Sequence, residues 1–525
     1  MCKPSLQIAL AALDRPAKPV EWLRIVEGLH LEPGFWWLDS ALPDARLGRH
    51  SFAGANPYLW LQARGGEVEI DVRRDVRPGL AKGFQRLEAD PIDTARALLP
   101  RADSLIYSTR TTAHSGNSRW HQAAGLSAGL ELPFLAGAVG YFGYELASTI
   151  EPQLRFENAD VLALPDLSLA FVDQVLAYDH ESERLWIIGL GFGDGRLPGR
   201  LGLRESAVAR SRNRVDELSV RIERKRSRGE SVRPTRIQRK MPRASLPLVS
   251  TADASGYAKA IDRILEEIGK GNVYQANFSQ RLTVDAPIDP WRIYAALRKH
   301  NPAPFGGYLS LRDAAVLSSS PERFLCMDAS RQIESRPIKG TRPRGDGELE
   351  DSRFAAELAS SEKDRAENLM IVDLVRNDLG RVCAPGSIGV PELMKIEAYA
   401  AVFQMVSTVT GTLATGRDAF DLVRATFPPG SMTGAPKLAS ISLLEKLESV
   451  RRGVYAGALG YLDLRGGLDL SVVIRTIIWK EGKAHLHVGG GVVADSSPEA
   501  EYLESLDKAK APLAALDEAL ERREG

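Results

Sequence analysis

Cysteine is nearly missing from this chain: Cys2, Cys326 and Cys383 are the three among 525 residues. They are odd in number and far apart. They give neither a disulfide framework nor the spacing of a metal site, so a reducing, cytoplasmic setting is expected. Net charge is missing as well. Lysine and arginine number 68, aspartate and glutamate also 68, so no overall field directs the chain to nucleic acid or to a membrane surface. No apolar run is long enough to span a bilayer. The stretch 134–146 is short and rich in glycine, and residues 6–13 lack the basic flank and cleavage site of a signal peptide. There is no internal repeat of fixed period. A hydrophobic fraction of 44% with 26% charged residues describes a soluble globular chain, long enough to bury a large core in at least two units.

What is present divides the chain in three. Residues 1–190 alternate short apolar runs with turns. Phe35-Trp36-Trp37-Leu38-Asp39-Ser40 reads as a strand. Residues 58–63 and 67–70 read as a hairpin turning at Gly65-Gly66. Pro91 opens a short helix capped by Asp90. Residues 134–145 read as a buried strand, and 167–178 with 184–190 as a further strand pair. Residues 191–248 turn basic, with arginine and glycine prominent, and read as a mobile linker, part of which could be helical. Residues 249–525 form the third unit. Tyr257, Ala260, Ile261, Ile264, Leu265 and Ile268 share one face of a helix. Strands are expected over 274–284 and 305–311, and the stretch 316–324 carries Ser318-Ser319-Ser320-Pro321-Glu322-Arg323-Phe324.

The most distinctive stretch is Pro337-Ile338-Lys339-Gly340-Thr341-Arg342-Pro343-Arg344-Gly345. Its prolines and glycines predict a rigid loop rather than a helix or central strand. Lys339 between arginines should have a lowered pKa, because neighbouring positive charge disfavours its ammonium form. A lysine near its usual ~10.4 is about one part in a thousand amine at neutral pH. One brought to roughly 7–8 is a usable nucleophile.

Two helices offer carboxylates in pairs. In the helical stretch 350–379, capped by Ser360 or Ser361, Asp364 and Glu367 are three apart and share a face. Ser497-Pro498-Glu499 opens a second helix with Glu501, Glu504 and Lys508 on one face. Mg²⁺ commonly takes one or two protein carboxylates and completes its shell with waters and substrate oxygens. The loops Ser431-Met432-Thr433-Gly434-Ala435-Pro436-Lys437 and Gly489-Gly490-Gly491 can wrap an anion with backbone N–H groups. Arg475 is a fixed positive charge suited to a carboxylate. From the residues alone, the chain reads as an enzyme binding a small polyanionic organic acid with Mg²⁺.

These motifs together resemble the chorismate-utilising enzymes of the anthranilate synthase component I family. The likeness covers Tyr274-Gln275-Ala276-Asn277, Ser320-Pro321-Glu322, the Lys339 stretch, Ala366-Glu367-Asn368-Leu369-Met370-Ile371-Val372-Asp373-Leu374, and the segments 430–437 and 489–508. The segments Leu38-Asp39-Ser40, Gly48-Arg49-His50-Ser51 and Gly137-Ala138-Val139-Gly140-Tyr141-Phe142 are similar to large subunits that partner a glutaminase. The resemblance implies an α+β fold, with antiparallel sheets packed as a sandwich, helices outside, and the N-terminal unit on the same core. Lysine at 339 implies the aminodeoxychorismate-forming branch, in p-aminobenzoate and folate biosynthesis. There Glu322 is the general acid, Lys339 the covalent nucleophile, and the product 4-amino-4-deoxychorismate. The resemblance further implies Mg²⁺ on Glu367, Glu504 and Glu501, with Asp364 nearby. It implies substrate contacts from Gly340, Thr341, Gln404, Ser431, Arg475, Gly490, Gly491 and Lys508. Gln275 stands where isochorismate-forming relatives carry a water-activating lysine. Gln404 stands where many members have histidine, and an amide cannot shuttle a proton. No cysteine sits in a glutaminase-like setting, so a separate glutaminase subunit is the expected ammonia source, with no nucleic-acid or membrane partner. The alternative is anthranilate synthase component I: amination at C2 with loss of pyruvate.

Overall fold

Alternation along the first strand already requires two covered faces. In Leu6–Ala12, Leu6, Ile8 and Leu10 enter one hydrophobic cluster while Ala9 and Ala11 enter another. The computed structural model describes residues 6–521 except 13–16, 43, 45, 78, 101–104, 113–117, 124–131, 194–200, 228–245, 346 and 400–401. Among them, a 14-stranded and a 12-stranded sheet, both mainly antiparallel, enclose the larger cluster. The far face of the first sheet is covered by helices Pro19–Leu29, Pro290–His300 and Pro498–Glu521. This is the expected α+β sandwich with helices outside. Both sheets run through the N- and C-terminal parts of the chain: Trp36–Asp39 pairs with Phe305–Ser310, and Gly137–Phe142 with Ala458–Asp463. No helix among the described residues is long and apolar enough to cross a membrane.

Several local readings hold. The hairpin Leu59–Arg64 with Glu67–Val72 turns at Gly65 and Gly66. Asp90 accepts from the N–H groups of Ile92 (2.8 Å) and Asp93 (2.9 Å) and caps Pro91–Leu98. Ser361 caps Glu362–Gly380, and at that point the helical stretch divides, with Glu348–Ser360 before it.

One reading is corrected. Residues 167–178 are two strands, not one. Leu167–Val172 lies in the 12-stranded sheet and Gln174–Asp179 in the other. Buried Asp173 marks the crossing and is held by Arg74 at 2.6 Å. The stretch 316–324 also spans a crossing, from Ala314–Ser320 in the first sheet to Arg323–Met327 in the second. Its neighbour does the same in reverse, as Leu468–Val472 in the second sheet and Thr476–Lys480 in the first. The two crossings are stitched together: Val472 N–H donates to Glu322 O (3.0 Å) and Ser319 N–H to Arg475 O (3.2 Å). The stretch 191–248, part of which could be helical from its sequence, contains the helix Leu201–Ser227, with Val215, Leu218 and Ile222 buried against the first sheet. Gly189 and Gly191 permit that close approach. The apolar residues at helical spacing are few among many arginines, and the charge count hides them. Residues 194–200 and 228–245 of that stretch lie outside the described residues.

Candidate active site

The seam where strands change sheets places two of the expected residues. Glu322 sits in the first crossing and is 5% exposed. Arg475 sits in the second, in a left-handed backbone conformation (φ 52°). Non-glycine residues adopt that region seldom and at some strain, often at functional sites. Burial lowers the pKa of Arg475, and its Nη1 donates to Lys508 O at 2.7 Å.

Lys339 comes from the open edge of the second sheet. The expected loop is a short strand, Ile338–Pro343, paired with Val402–Thr412, and the register slips between Ile338 and Thr341. An edge strand can hold proline, and the bulge re-aims a side chain. Gly340 makes the bulge feasible. Its φ is +84°, and a Cβ there would lie 2.8 Å from Leu358 Cδ1 and 3.0 Å from Asp364 Cβ. Lys339 Nζ donates to Ser431 O at 3.4 Å. Its pKa is lowered as expected, but from another cause. Burial disfavours the ammonium first, Glu367, Glu322 and Glu504 oppose this, and Lys508 adds to it. The flanking arginines are engaged elsewhere: Arg342 with Glu357 (2.7 Å) and Asp364 (3.0 Å), and Arg344 with Asp351.

Glu322 faces the same place. Burial pushes its carboxyl up to about 7, against a hydrogen bond from Ser431 and the positive charge of Lys339. Ser431, in the turn Gly430–Met432, therefore touches both candidates, through its side chain to Glu322 and its carbonyl to Lys339. A carboxyl poised near neutrality beside an amine with a lowered pKa is an arrangement able to give and take protons or attack carbon.

The acidic side is built by two helices and the end of Lys483–Val492. Glu501 Oε1 accepts from Ser496 Oγ at 2.7 Å, while Oε2 is buried without a hydrogen bond among the described residues. A Cβ on Gly490 would lie 3.0 Å from that Oε2, 3.5 Å from Lys508 Nζ and 3.6 Å from Glu504 Oε1, so glycine keeps the space open. Lys508 Nζ binds Glu504 at 2.8 Å and Gly489 O at 2.8 Å. Burial raises Glu504, but Lys508 outweighs it and leaves the carboxylate below its ordinary range. Glu367 is raised, first by burial, despite Lys339 and Lys363. Glu367, Glu501 and Glu504 are the residues able to hold a hard, oxygen-ligated cation. No three His, Cys, Asp or Glu side chains among the described residues form a metal cluster unaided, so such an ion would rely on substrate or water oxygens for the rest of its shell. Asp364, grouped with them from sequence, instead pairs with Arg342.

Gln275 is 1% exposed, its Oε1 has no hydrogen bond among the described residues, and its Nε2 occupies the space a Cβ on Gly491 would fill, 2.2 Å away. Gln404 is nearly buried opposite Thr341 in the ladder, and Thr341 itself is exposed. Four residues given no role from sequence also belong here. Asn277 Nδ2 donates to Ser431 O; it lies two residues beyond Gln275 on the same strand face, a period-two signal that could have found it. Tyr455 is buried, and burial raises its pKa against the opposing charges of Arg452 and Arg475. Arg452, paired with Glu448 at 2.7 Å, donates to Met432 O at 2.8 Å and to Asn277 O. No local pattern marks these last three.

Comparison with known proteins follows the same lines. The profile of chorismate binding enzymes matches residues 81–514. An aminodeoxychorismate synthase of Streptomyces griseus is 37% identical over 498 residues, covering 93% of this chain and 62% of that protein; the chain thus spans less than two thirds of that relative. Aminodeoxychorismate synthase component 1 of Salmonella typhimurium is 36% identical, over 89% of this chain and 94% of that one. The crystal structure of anthranilate synthase component I from Streptococcus pneumoniae superposes with a TM-score of 0.68 at 25% identity, covering 90% of this chain and 93% of the other. With a family profile spanning most of its length, a component 1 relative matched nearly end to end and a shared fold, this chain belongs to the chorismate binding enzyme family.

Proposed function

We propose that the protein aminates chorismate at C4 to give 4-amino-4-deoxychorismate, with Lys339 as covalent nucleophile and Glu322 as general acid. The observation supporting this most strongly is that Ser431 bridges an amine of lowered pKa and a carboxyl pushed up to about 7. The uncharged Lys339 adds its lone pair at C2. The ring double bonds shift toward C4, the C4–O bond breaks, and the Glu322 proton leaves with the hydroxyl as water. Ammonia then adds at C4, the double bonds shift back, and the C2–N bond breaks to return the neutral lysine. Glu322 recovers its proton from the new C4 ammonium. Splitting one displacement into two is what a covalent nucleophile contributes.

Arg475, the backbone N–H groups at 490 and 491, and Lys508 bind the substrate carboxylates in this reading. Glu367, Glu501 and Glu504 would hold Mg²⁺, whose contribution when bound is to anchor and polarise the ring carboxylate. Gln275 cannot accept a proton, so water is not activated at C2. Gln404 cannot relay one either, so the product is not carried on to an aromatic ring. Ammonia comes from a second component, a glutaminase; the naming of relatives as component 1 supports a two-component enzyme.

The test is intact-protein mass spectrometry with chorismate and Mg²⁺ in the absence of ammonia. The expected species is the protein plus chorismate less one water, mapped to Lys339. Anthranilate with pyruvate as the main products on adding ammonium would assign the chain to the reaction named for its Streptococcus pneumoniae structural neighbour.

A further inference from the structure

Glu322 immediately precedes the strand Arg323–Met327 and Lys339 lies in the strand Ile338–Pro343; Arg323, next to Glu322, and Arg336, three residues before Lys339, belong to one ring of interactions. Arg336 N–H donates to Arg323 O at 3.4 Å. Arg323, 9% exposed, holds Asp469 with two hydrogen bonds (3.1 and 2.9 Å) and reaches Glu334 at 2.9 Å. Arg336, 2% exposed, reaches Glu392 at 3.4 Å and Glu397 at 2.5 Å. Arg46 closes the ring between the two carboxylates, with Nη2 on Glu334 at 3.1 Å and Nη1 on Glu392 at 2.7 Å. Every other member of the ring belongs to the second sheet. Arg46 comes from the turn joining Trp36–Asp39 to His50–Gly54, both strands of the first. Asp44 shapes that turn by accepting from the N–H groups of Arg46 and Leu47, each at 2.8 Å.

We infer that Arg46 is a positioning residue for the reaction proposed above: by tying Glu334 to Glu392 it fixes the spacing of Glu322 and Lys339, without touching substrate. The planar guanidinium suits this task because its fork can hold two carboxylates at once, whereas a lysine ammonium is a point charge on a flexible stem. A catalytic pair displaced by about 1 Å can lose on the order of 10²-fold in rate, so a partly relaxed ring should lose roughly tenfold. The Arg46 side chain is 43% exposed, so salt should weaken its contribution.

The test measures formation of the Lys339–chorismate adduct in wild type, Arg46→Ala and Arg46→Lys. Expected for Arg46→Ala is a maximal rate about tenfold lower at saturating chorismate, with half-saturation within about twofold of wild type. Arg46→Lys should recover part of the loss, and added KCl should slow wild type more than Arg46→Ala. A maximal rate in Arg46→Ala equal to wild type, or an effect confined to half-saturation, overturns the inference. If Arg46→Ala does not fold, Glu334→Gln and Glu392→Gln take its place, with the same slowing expected from each. If wild type itself forms no adduct, the functional reading falls, and the inference is then judged by amide hydrogen exchange without substrate. Faster exchange in Arg46→Ala at both 322–327 and 336–342 sustains it; any other pattern overturns it.

Discussion

Replacing Ser431 with alanine should make Glu322 a weaker acid. Burial at 5% exposure sets the protonated form as the favoured one and pushes the carboxyl from 4.5 to about 7. That corresponds to about 3 kcal/mol at ~1.4 kcal/mol per pH unit. At pH 7 the group is then about half protonated, where an ordinary glutamate is about 0.3% protonated. Ser431 and Lys339 both hold the value down by favouring the carboxylate. A hydrogen bond to a charged group contributes about 1.5 kcal/mol, so Ser431→Ala should raise the Glu322 value by about one pH unit. The acid form is the active one in the proposed reaction, so activity falls as pH rises through this value. The high-pH limb of kcat/KM should therefore move upward in Ser431→Ala, even as the rate itself drops. The measurement is infrared titration of the carboxylic acid C=O band without substrate, assigned by its loss in Glu322→Gln. A band that titrates at the wild-type pH or lower in Ser431→Ala refutes the claim that Ser431 stabilises the ionised form.

Lys339→Ala should abolish formation of 4-amino-4-deoxychorismate while leaving chorismate binding within about an order of magnitude, read by calorimetry and product chromatography; survival of C4 amination would remove the covalent route. Glu501→Gln puts an amide nitrogen in place of one oxygen of a buried carboxylate whose Oε2 has no hydrogen bond among the described residues. It should weaken Mg²⁺ binding at least tenfold by calorimetry and remove any rise in melting temperature on adding Mg²⁺. Gly340→Ala puts a Cβ 2.8 Å from Leu358 Cδ1 at a φ of +84°. A loss of about 1–3 kcal/mol in urea unfolding is expected, with adduct formation at Lys339 lost disproportionately because the bulge aims that side chain.

Local chemistry was legible wherever a short range decides the outcome. Asp90 and Ser361 cap helices because a carboxylate or hydroxyl before a helical run has nearby N–H groups to satisfy. The shared faces of Glu501, Glu504 and Lys508 follow from helical period alone. Sheet membership was not legible. Which sheet each half of 167–178 and 316–324 joins depends on partners more than a hundred residues away, such as Leu59–Arg64 for Leu167–Val172 and Leu468–Val472 for Arg323–Met327. The lowered pKa of Lys339 was expected for a reason that fails. Adjacent arginines count only if their charge is unmatched, and Glu357, Asp364 and Asp351 match it. Asp364 was grouped with the metal candidates on spacing, yet the arginine three residues after Lys339 claims it.

The crossings explain why such a site lies here at all. A residue within a regular strand points into the core or away from it, and in the core it meets apolar neighbours unfit for an acid. Where two adjacent antiparallel strands leave one sheet and enter the other at the same level, the ladder opens for a few residues. Glu322 and Arg475 occupy that opening, each still holding its neighbour through one backbone hydrogen bond. The opening is buried enough to push Glu322 up to about 7 yet bordered by the Gly430–Met432 turn, which supplies polar partners. Hydroxyls secure the seam: Ser320 Oγ donates to Val472 O at 2.6 Å and Thr476 Oγ1 to Ser318 Oγ at 2.9 Å. Larger apolar side chains at this seam would therefore displace those polar partners and remove the acid's setting, since the same break in the ladders produces both.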